Sequence, residues 1–329
     1  MNDTILLVGH GSREPGGNEE IEKFAAQWRA MQPRERIEVC FIEFADVLLD
    51  AGMRRAAQGS RRVLVIPLIL NAAGHVKMDI PEHIAEARAE HPGVQFAYAP
   101  HLSACDPLLA ILKRQLRKAM ARLDMPDPRS TGVVLLGRGS SDRAANGEMA
   151  KMARWLMEET DHELVDVAFT GITWPRLERA VQRQVLLGMT QVVVLPYYLY
   201  TGTLIQRIGR QVEHLKQQYP QVRFASGTYF GFEPEIFKLL DQRVADLRQA
   251  APLGLMPCDG CKYRSFAEEH GLGHHAHDEP GHSHGPVSAA QPALACTAAH
   301  SHAHAPCNAH GHPHHDPAHA HAHHDHSHA

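Results

Sequence analysis

The sequence predicts an α/β protein made of two copies of one domain, each a four-stranded, mainly parallel sheet flanked by helices, followed by a disordered histidine-rich tail. Three observations predict it. Ile5-Leu6-Leu7-Val8-Gly9-His10-Gly11-Ser12 returns as Val133-Val134-Leu135-Leu136-Gly137-Arg138-Gly139-Ser140, and Arg62-Val63-Leu64-Val65-Ile66-Pro67-Leu68 as Gln191-Val192-Val193-Val194-Leu195-Pro196-Tyr197, at offsets of 128 and 129 residues. Offsets this constant over such a distance mean duplication. Within each copy, apolar β-branched runs alternate with amphipathic stretches, the order of a parallel sheet. Beyond about residue 250 large apolar side chains nearly vanish.

In the first copy the runs Ile5–Gly9, Ile37–Phe44, Val63–Leu70 and Val94–Tyr98 read as strands. They are almost continuously apolar, as strands covered on both faces must be. Between them Gly17–Met31, Val47–Ala57, Pro81–Ala89 and Pro107–Ala121 carry apolar residues at helical spacing. The second copy repeats this order between Gly132 and Leu247. Met125-Pro126-Asp127-Pro128-Arg129-Ser130 halts both periodicities and reads as a linker. The expected division is therefore 1–126, 127–250 and a tail 251–329. Of the 26 histidines, 18 lie between His274 and His328 among Ala, Gly, Pro, Ser and Asp. Such a segment buries too little apolar surface to offset its ordering entropy.

At 329 residues and 44% hydrophobic content, two cores are affordable. A net charge of −4 argues against nucleic acid, whose partners show a basic excess. The first residues run straight into an apolar strand with no export signal, and no apolar run approaches the roughly 20 residues that span a bilayer. A cytoplasmic protein with no membrane partner is expected. In that compartment the six cysteines read as metal-binding or redox groups rather than disulfides. Gly-His-Gly-Ser lacks both the dinucleotide fingerprint and the Lys-Ser/Thr ending of a phosphate loop, so no nucleotide is expected.

Ligands of parallel α/β sheets collect beyond the carboxyl ends of the strands. Three of the first copy's strand ends carry metal-capable groups: His10, Glu43 and His75. Two imidazoles and one carboxylate suit cobalt, iron, nickel or zinc. Aligned by the repeat offsets, His10 maps to Arg138, Glu43 to Gly171 and His75 to Leu204, so all three groups vanish together from the second copy. One working site and one spent copy explain that pattern better than three structural roles.

The segments Leu7-Val8-Gly9-His10-Gly11-Ser12-Arg13, Phe41-Ile42-Glu43-Phe44-Ala45, Val65-Ile66-Pro67-Leu68 with Gly74-His75 behind it, and Met256-Pro257-Cys258-Asp259-Gly260-Cys261 resemble the long form of the sirohydrochlorin cobaltochelatases. The resemblance covers essentially the whole chain. It implies a class II chelatase fold, with two similar domains facing each other across a cleft, and insertion of Co2+ for cobalamin biosynthesis. Related enzymes load iron for siroheme or nickel for another tetrapyrrole. His10 and His75 are then expected as metal ligands and proton acceptors, with Glu43 as third ligand or proton relay. Sirohydrochlorin, or its reduced precursor, carries eight carboxylates, for which Ser12, Arg13, Lys77, Arg138, Arg143 and the amides of the two glycine turns are candidate donors. The family more often shows Pro-Leu-Gly where this chain has Ala99-Pro100-His101-Leu102, which makes His101 either a further cleft ligand or a surface imidazole.

Cys258 and Cys261 have the spacing of a two-thiolate half-site; the resemblance makes it an iron-sulfur motif, the alternative being a zinc pair or free thiols. A cluster needs further ligands, from Cys296 and Cys307 or from a second chain in a homodimer. The tail reads as a tethered cobalt or nickel reservoir, or as a buffer with no part in delivery. A rival reading from another class makes the whole chain a metal storage protein or metallochaperone.

Overall fold

The structure, a computed structural model, describes residues 3–249; Cys258, Cys261 and the histidine tail lie outside them. The first half runs β1 (Asp3–Gly9), α1 (Pro15–Met31), β2 (Arg36–Phe41), α2 (Leu49–Ala57), β3 (Arg62–Pro67), a π-helical turn (His75–Asp79) leading into α3 (Ile80–Glu90), β4 (Gln95–Tyr98) and α4 (Asp106–Met120). The second repeats it: β5 (Thr131–Gly137), α5 (Arg143–Glu158), β6 (Val165–Phe169), α6 (Leu177–Leu186), β7 (Gln191–Pro196), α7 (Thr203–Gln218), β8 (Arg223–Ser226) and α8 (Pro234–Gln249). The linker closes on itself where the Asp127 carboxylate accepts from the Arg129 and Ser130 amides.

Both sheets are entirely parallel, in the orders β2-β1-β3-β4 and β6-β5-β7-β8. The chain moves outward from β1 in both directions, so loops leaving β1 and β3 part at a switch point and open a crevice above the sheet. The central strands are buried throughout, as their unbroken apolar sequences require.

Two strands are shorter than their apolar runs. β2 stops at Phe41, not Phe44, because Phe44 takes a φ of 60° that no strand continues. β3 stops at Pro67, not Leu70; proline supplies no amide to the ladder. Glu43 therefore sits in a turn beyond its strand.

The halves repeat one topology yet share a core. Helix α1 buries Ile21, Phe24, Ala25 and Trp28, one apolar face at helical spacing. Phe24 stacks on Phe237 of α8 with ring centres 4.1 Å apart, and Trp28 Nε1 donates to Asp241 Oδ1 of the same helix at 2.9 Å. Helix α4, from the first half, packs against β7 and β8 and buries Leu108, Leu109, Ile111, Leu112 and Leu116. Helix α8 returns the exchange by packing on β3. Each large aliphatic or aromatic side chain buried there contributes about 1.5–3 kcal/mol, so the exchanged helices hold the halves as one body.

Candidate metal centre

The local chain geometry explains how three distant residues meet. Past the ends of β1 and β2 the backbone continues to pair, Ile42 N donating to Gly9 O at 3.0 Å and Glu43 N to His10 O at 3.1 Å. This carries Glu43 alongside His10 although neither lies in a strand. The approach depends on Gly11, whose φ is +87° and where a Cβ would stand 1.7 Å from the Glu43 carbonyl oxygen. His75 opens the π-helical turn, anchored by buried Val76 and by Tyr98 Oη donating to Val76 O at 2.9 Å. Helix widening of this kind recurs at functional sites because it re-aims side chains.

His10, Glu43 and His75, all half-buried, each present a ligand atom within 4.8 Å of the others, the only such metal-capable group among the described residues. The imidazoles meet edge to face with centroids 4.7 Å apart, and His10 Nδ1 lies 3.5 Å from Glu43 Oε1. Asp79, four residues beyond His75, accepts its Nδ1 at 2.5 Å. That bond fixes the ring and leaves Nε2 for an ion, the usual outer-shell arrangement of a metal histidine. Sequence reasoning passed over Asp79, although its i, i+4 spacing from His75 was the available signal. Burial, with repulsion from His75 and Arg138, pushes the pKa of His10 down to about 4, so its imidazole is neutral at physiological pH.

The other candidates divide. Arg138 Nη1 lies 3.3 Å from His10 Nε2, so the arginine of the second copy aims at its histidine counterpart in the first. Arg13 is exposed, its guanidinium 4.8 Å above the Phe44 ring, and Arg143 is exposed at the start of α5. Lys77 pairs across the halves with Asp142, itself buried, so its ammonium serves that bridge first. The Ser12 hydroxyl accepts from the Glu14 amide at 3.1 Å and its own amide donates to Asn18 at 2.8 Å, which makes it part of the turn's scaffold. His101 stands outside the metal-capable group; burial lowers its pKa to about 4, and its carbonyl accepts from Arg243.

The second half repeats the backbone pattern around these residues without their metal-capable side chains. Gly139 repeats the φ of +87°, and Gly171 N donates to Arg138 O at 3.0 Å as Glu43 N does to His10 O. The counterpart of His75 differs from the ungapped alignment. Gly74 and Gly202 precede the two helices, Glu90 and Gln218 end them, and Gln95 and Arg223 open the next strands, all 128 apart, so Thr203 and not Leu204 takes its place.

This is the fold of the class II chelatases, two parallel α/β lobes with metal-capable groups at one lobe's strand ends. A model of the CbiX family matches residues 4–119 and again 132–247, and the chain belongs to that family. It is 37% identical over 275 residues to the sirohydrochlorin cobaltochelatase of Priestia megaterium, spanning 83% of this chain and 88% of that one. It is 28% identical over 246 residues to the sirohydrochlorin ferrochelatase of the same organism, spanning 74% and 90%. The sirohydrochlorin chelatase SirB of Bacillus subtilis subspecies spizizenii, solved in complex with cobalt, superposes with a TM-score of 0.61 at 28% identity over 75% of this chain and 95% of that one.

Proposed function

We propose that this protein inserts Co2+ into sirohydrochlorin, with His10, Glu43 and His75 as the residues that hold the ion and take up the protons. The observation that carries the reading is the convergence of those three side chains at the switch point of the first sheet. Cobalt is preferred over iron because, of the two Priestia megaterium relatives, the cobaltochelatase is the more similar. The ferrochelatase likeness makes siroheme synthesis the second reading.

Insertion requires the macrocycle to lose two pyrrolic protons as the ion exchanges its ligands for ring nitrogens. His75, oriented by Asp79, offers Nε2 as ligand. His10, kept neutral by burial, serves first as ligand and then as proton acceptor. Glu43 supplies the hard oxygen and a route for the second proton. The ion must also leave. Three protein ligands leave coordination positions open, and the Arg138 guanidinium beside His10 repels a dication, so the grip is loose. Arg13, Arg138 and Arg143 meet the substrate's carboxylates, helped by the amides of the glycine turns. Ser12 and Lys77 act behind them, through the turn and the Asp142 bridge.

Among the described residues the cysteines are Cys40, whose thiol burial pushes well above its ordinary range, and Cys105, raised by burial as well. An iron-sulfur cluster would belong to Cys258 and Cys261, completed by further tail thiolates or by a second copy in a homodimer. We place the reaction in the cytoplasm; no described helix is long and apolar enough to cross a membrane. The tail, 251–329, acts as a cobalt store for the two lobes, 1–126 and 127–250. The test is incubation with sirohydrochlorin and, separately, cobalt, iron, nickel and zinc. Many turnovers per protein, fastest with cobalt, are expected. Metal uptake without conversion of the macrocycle refutes the enzyme reading in favour of storage.

A further inference from the structure

The second half's counterpart of the metal centre has inverted its chemistry. Where the first half offers His10, Glu43 and His75, the second offers Arg138, Gly171 and Thr203, with the backbone bond from Glu43 to His10 repeated from Gly171 to Arg138. The carboxylate has gone and a permanent cation has arrived. The space it vacated lies beside a second cation: a Cβ built on Gly171 comes 4.0 Å from Arg176 Nη1.

Arg176 is unusual in what it lacks. Its Nη1 is buried without a hydrogen-bond partner among the described residues, and a guanidinium cannot shed its charge to escape that cost. Stacking on Trp174, 4.8 Å from ring centre to Cζ, holds one face and leaves the edge, where the N–H groups point, for a ligand. Trp174 and Ile172 on the same turn are 67% and 57% exposed, so the turn that carries Arg176 presents an apolar lip to solvent. Close by, the Tyr198 and Thr170 hydroxyls bond at 2.8 Å, and the charges acting on Tyr198 are Arg138 and Arg207, both cationic.

We propose that Arg176 forms a carboxylate clamp, and that the second copy's counterpart of the metal centre grips an acidic side chain on the rim of the tetrapyrrole while the first copy delivers the ion. The inference rests on the chelatase reading for the identity of its ligand. It makes Arg176 a substrate-binding residue that divides the labour of the duplication: one copy for the metal, one for the macrocycle.

The test is a metal-free titration of the full chain with uroporphyrin, which carries eight carboxylates, and coproporphyrin, which carries four, read by porphyrin absorbance. Arg176→Gln should weaken uroporphyrin binding by about tenfold or more, the loss of a charge-assisted fork. Arg176→Lys should recover part of it. Gly171→Glu, whose new carboxylate would occupy the guanidinium, should weaken binding similarly without removing any arginine. Arg154→Gln, whose guanidinium is engaged by Glu158 on α5, is the control and should change nothing. In turnover, Arg176→Gln should raise KM for sirohydrochlorin and leave KM for cobalt alone. Undiminished uroporphyrin affinity in both Arg176→Gln and Gly171→Glu overturns the clamp, as does a wild-type chain that binds neither porphyrin. A wild-type chain that binds uroporphyrin through Arg176 but metalates nothing leaves the clamp standing and sinks the chelatase reading instead.

Discussion

At the scale of the residue, the centre depends on side chains that are each ordinary and together are not. His10→Ala or His75→Ala should lower cobalt insertion by about a hundredfold or more, at or beyond the 10–100-fold that losing an outer-shell partner costs, with the melting temperature little changed because both are half-buried. Absorbance turnover and a thermal melt check the two halves of that statement. Asp79→Asn keeps the shape but weakens the acceptor of His75 Nδ1; cobalt affinity at the centre should fall about 10–100-fold, measured by competition with a chelator. The three candidate ligands were legible because the duplication provides its own comparison. Asp79 and Arg176 were not. Asp79 looks like one acidic residue among many until the π-helical turn places it under His75, and Arg176 replaces an unremarkable Leu48 in the repeat, so its buried, unpartnered edge appears only in three dimensions.

At the scale of the element, the glycine turns do the positioning. Gly11→Ala would need a left-handed backbone and would drive its methyl into the Glu43 carbonyl, so about 2 kcal/mol or more of stability should be lost together with metal binding. Denaturant unfolding and cobalt titration of the same sample would show both. The strand pattern was read correctly in order and position, while two strand ends ran past their true limits. Apolar character persists beyond Phe41 and Pro67 because Ile42, Leu68, Ile69 and Leu70 in the loops that follow also pack inward, while Phe44 is exposed; the φ of Phe44 and the missing amide of Pro67 decide where pairing ends. The shift at His75 has the same origin. A loop one residue shorter in the second half leaves no mark on an ungapped comparison, yet it moves the counterpart from Leu204 to Thr203.

At the scale of the molecule, the repeat suggested two successive copies of one domain, and the structure exchanges their last helices. No periodicity announces that α4 covers β7 and β8 or that α8 covers β3; both helices merely look apolar. One consequence is a link between acidity and assembly. The hydrogen bond from Arg248 on α8 to Glu35 holds that carboxyl below its ordinary range, and Arg248 and Arg62 hold Asp3 below its own against the push of burial. Folded-state values below the unfolded ones mean stability that is present above the unfolded pKa and lost as pH falls through the folded one. Stability should therefore decline below about pH 4.5, and Arg248→Gln should be less stable than the parent at neutral pH while losing less on acidification, as denaturant midpoints at the two pH values will report. Truncation after residue 250 should preserve insertion at saturating cobalt, since the ligands and the clamp lie before it; inactivity of that variant would contradict the division between lobes and tail.

The most direct test of the central claim is the position of cobalt itself, read from anomalous scattering at the cobalt edge in crystals of the full chain. A single strong peak among residues 3–249, bonded to an imidazole nitrogen of His10, to His75 Nε2 and to a Glu43 oxygen, is the predicted result. Cobalt bound elsewhere on the two lobes, with those three side chains turned away from it, would contradict the account.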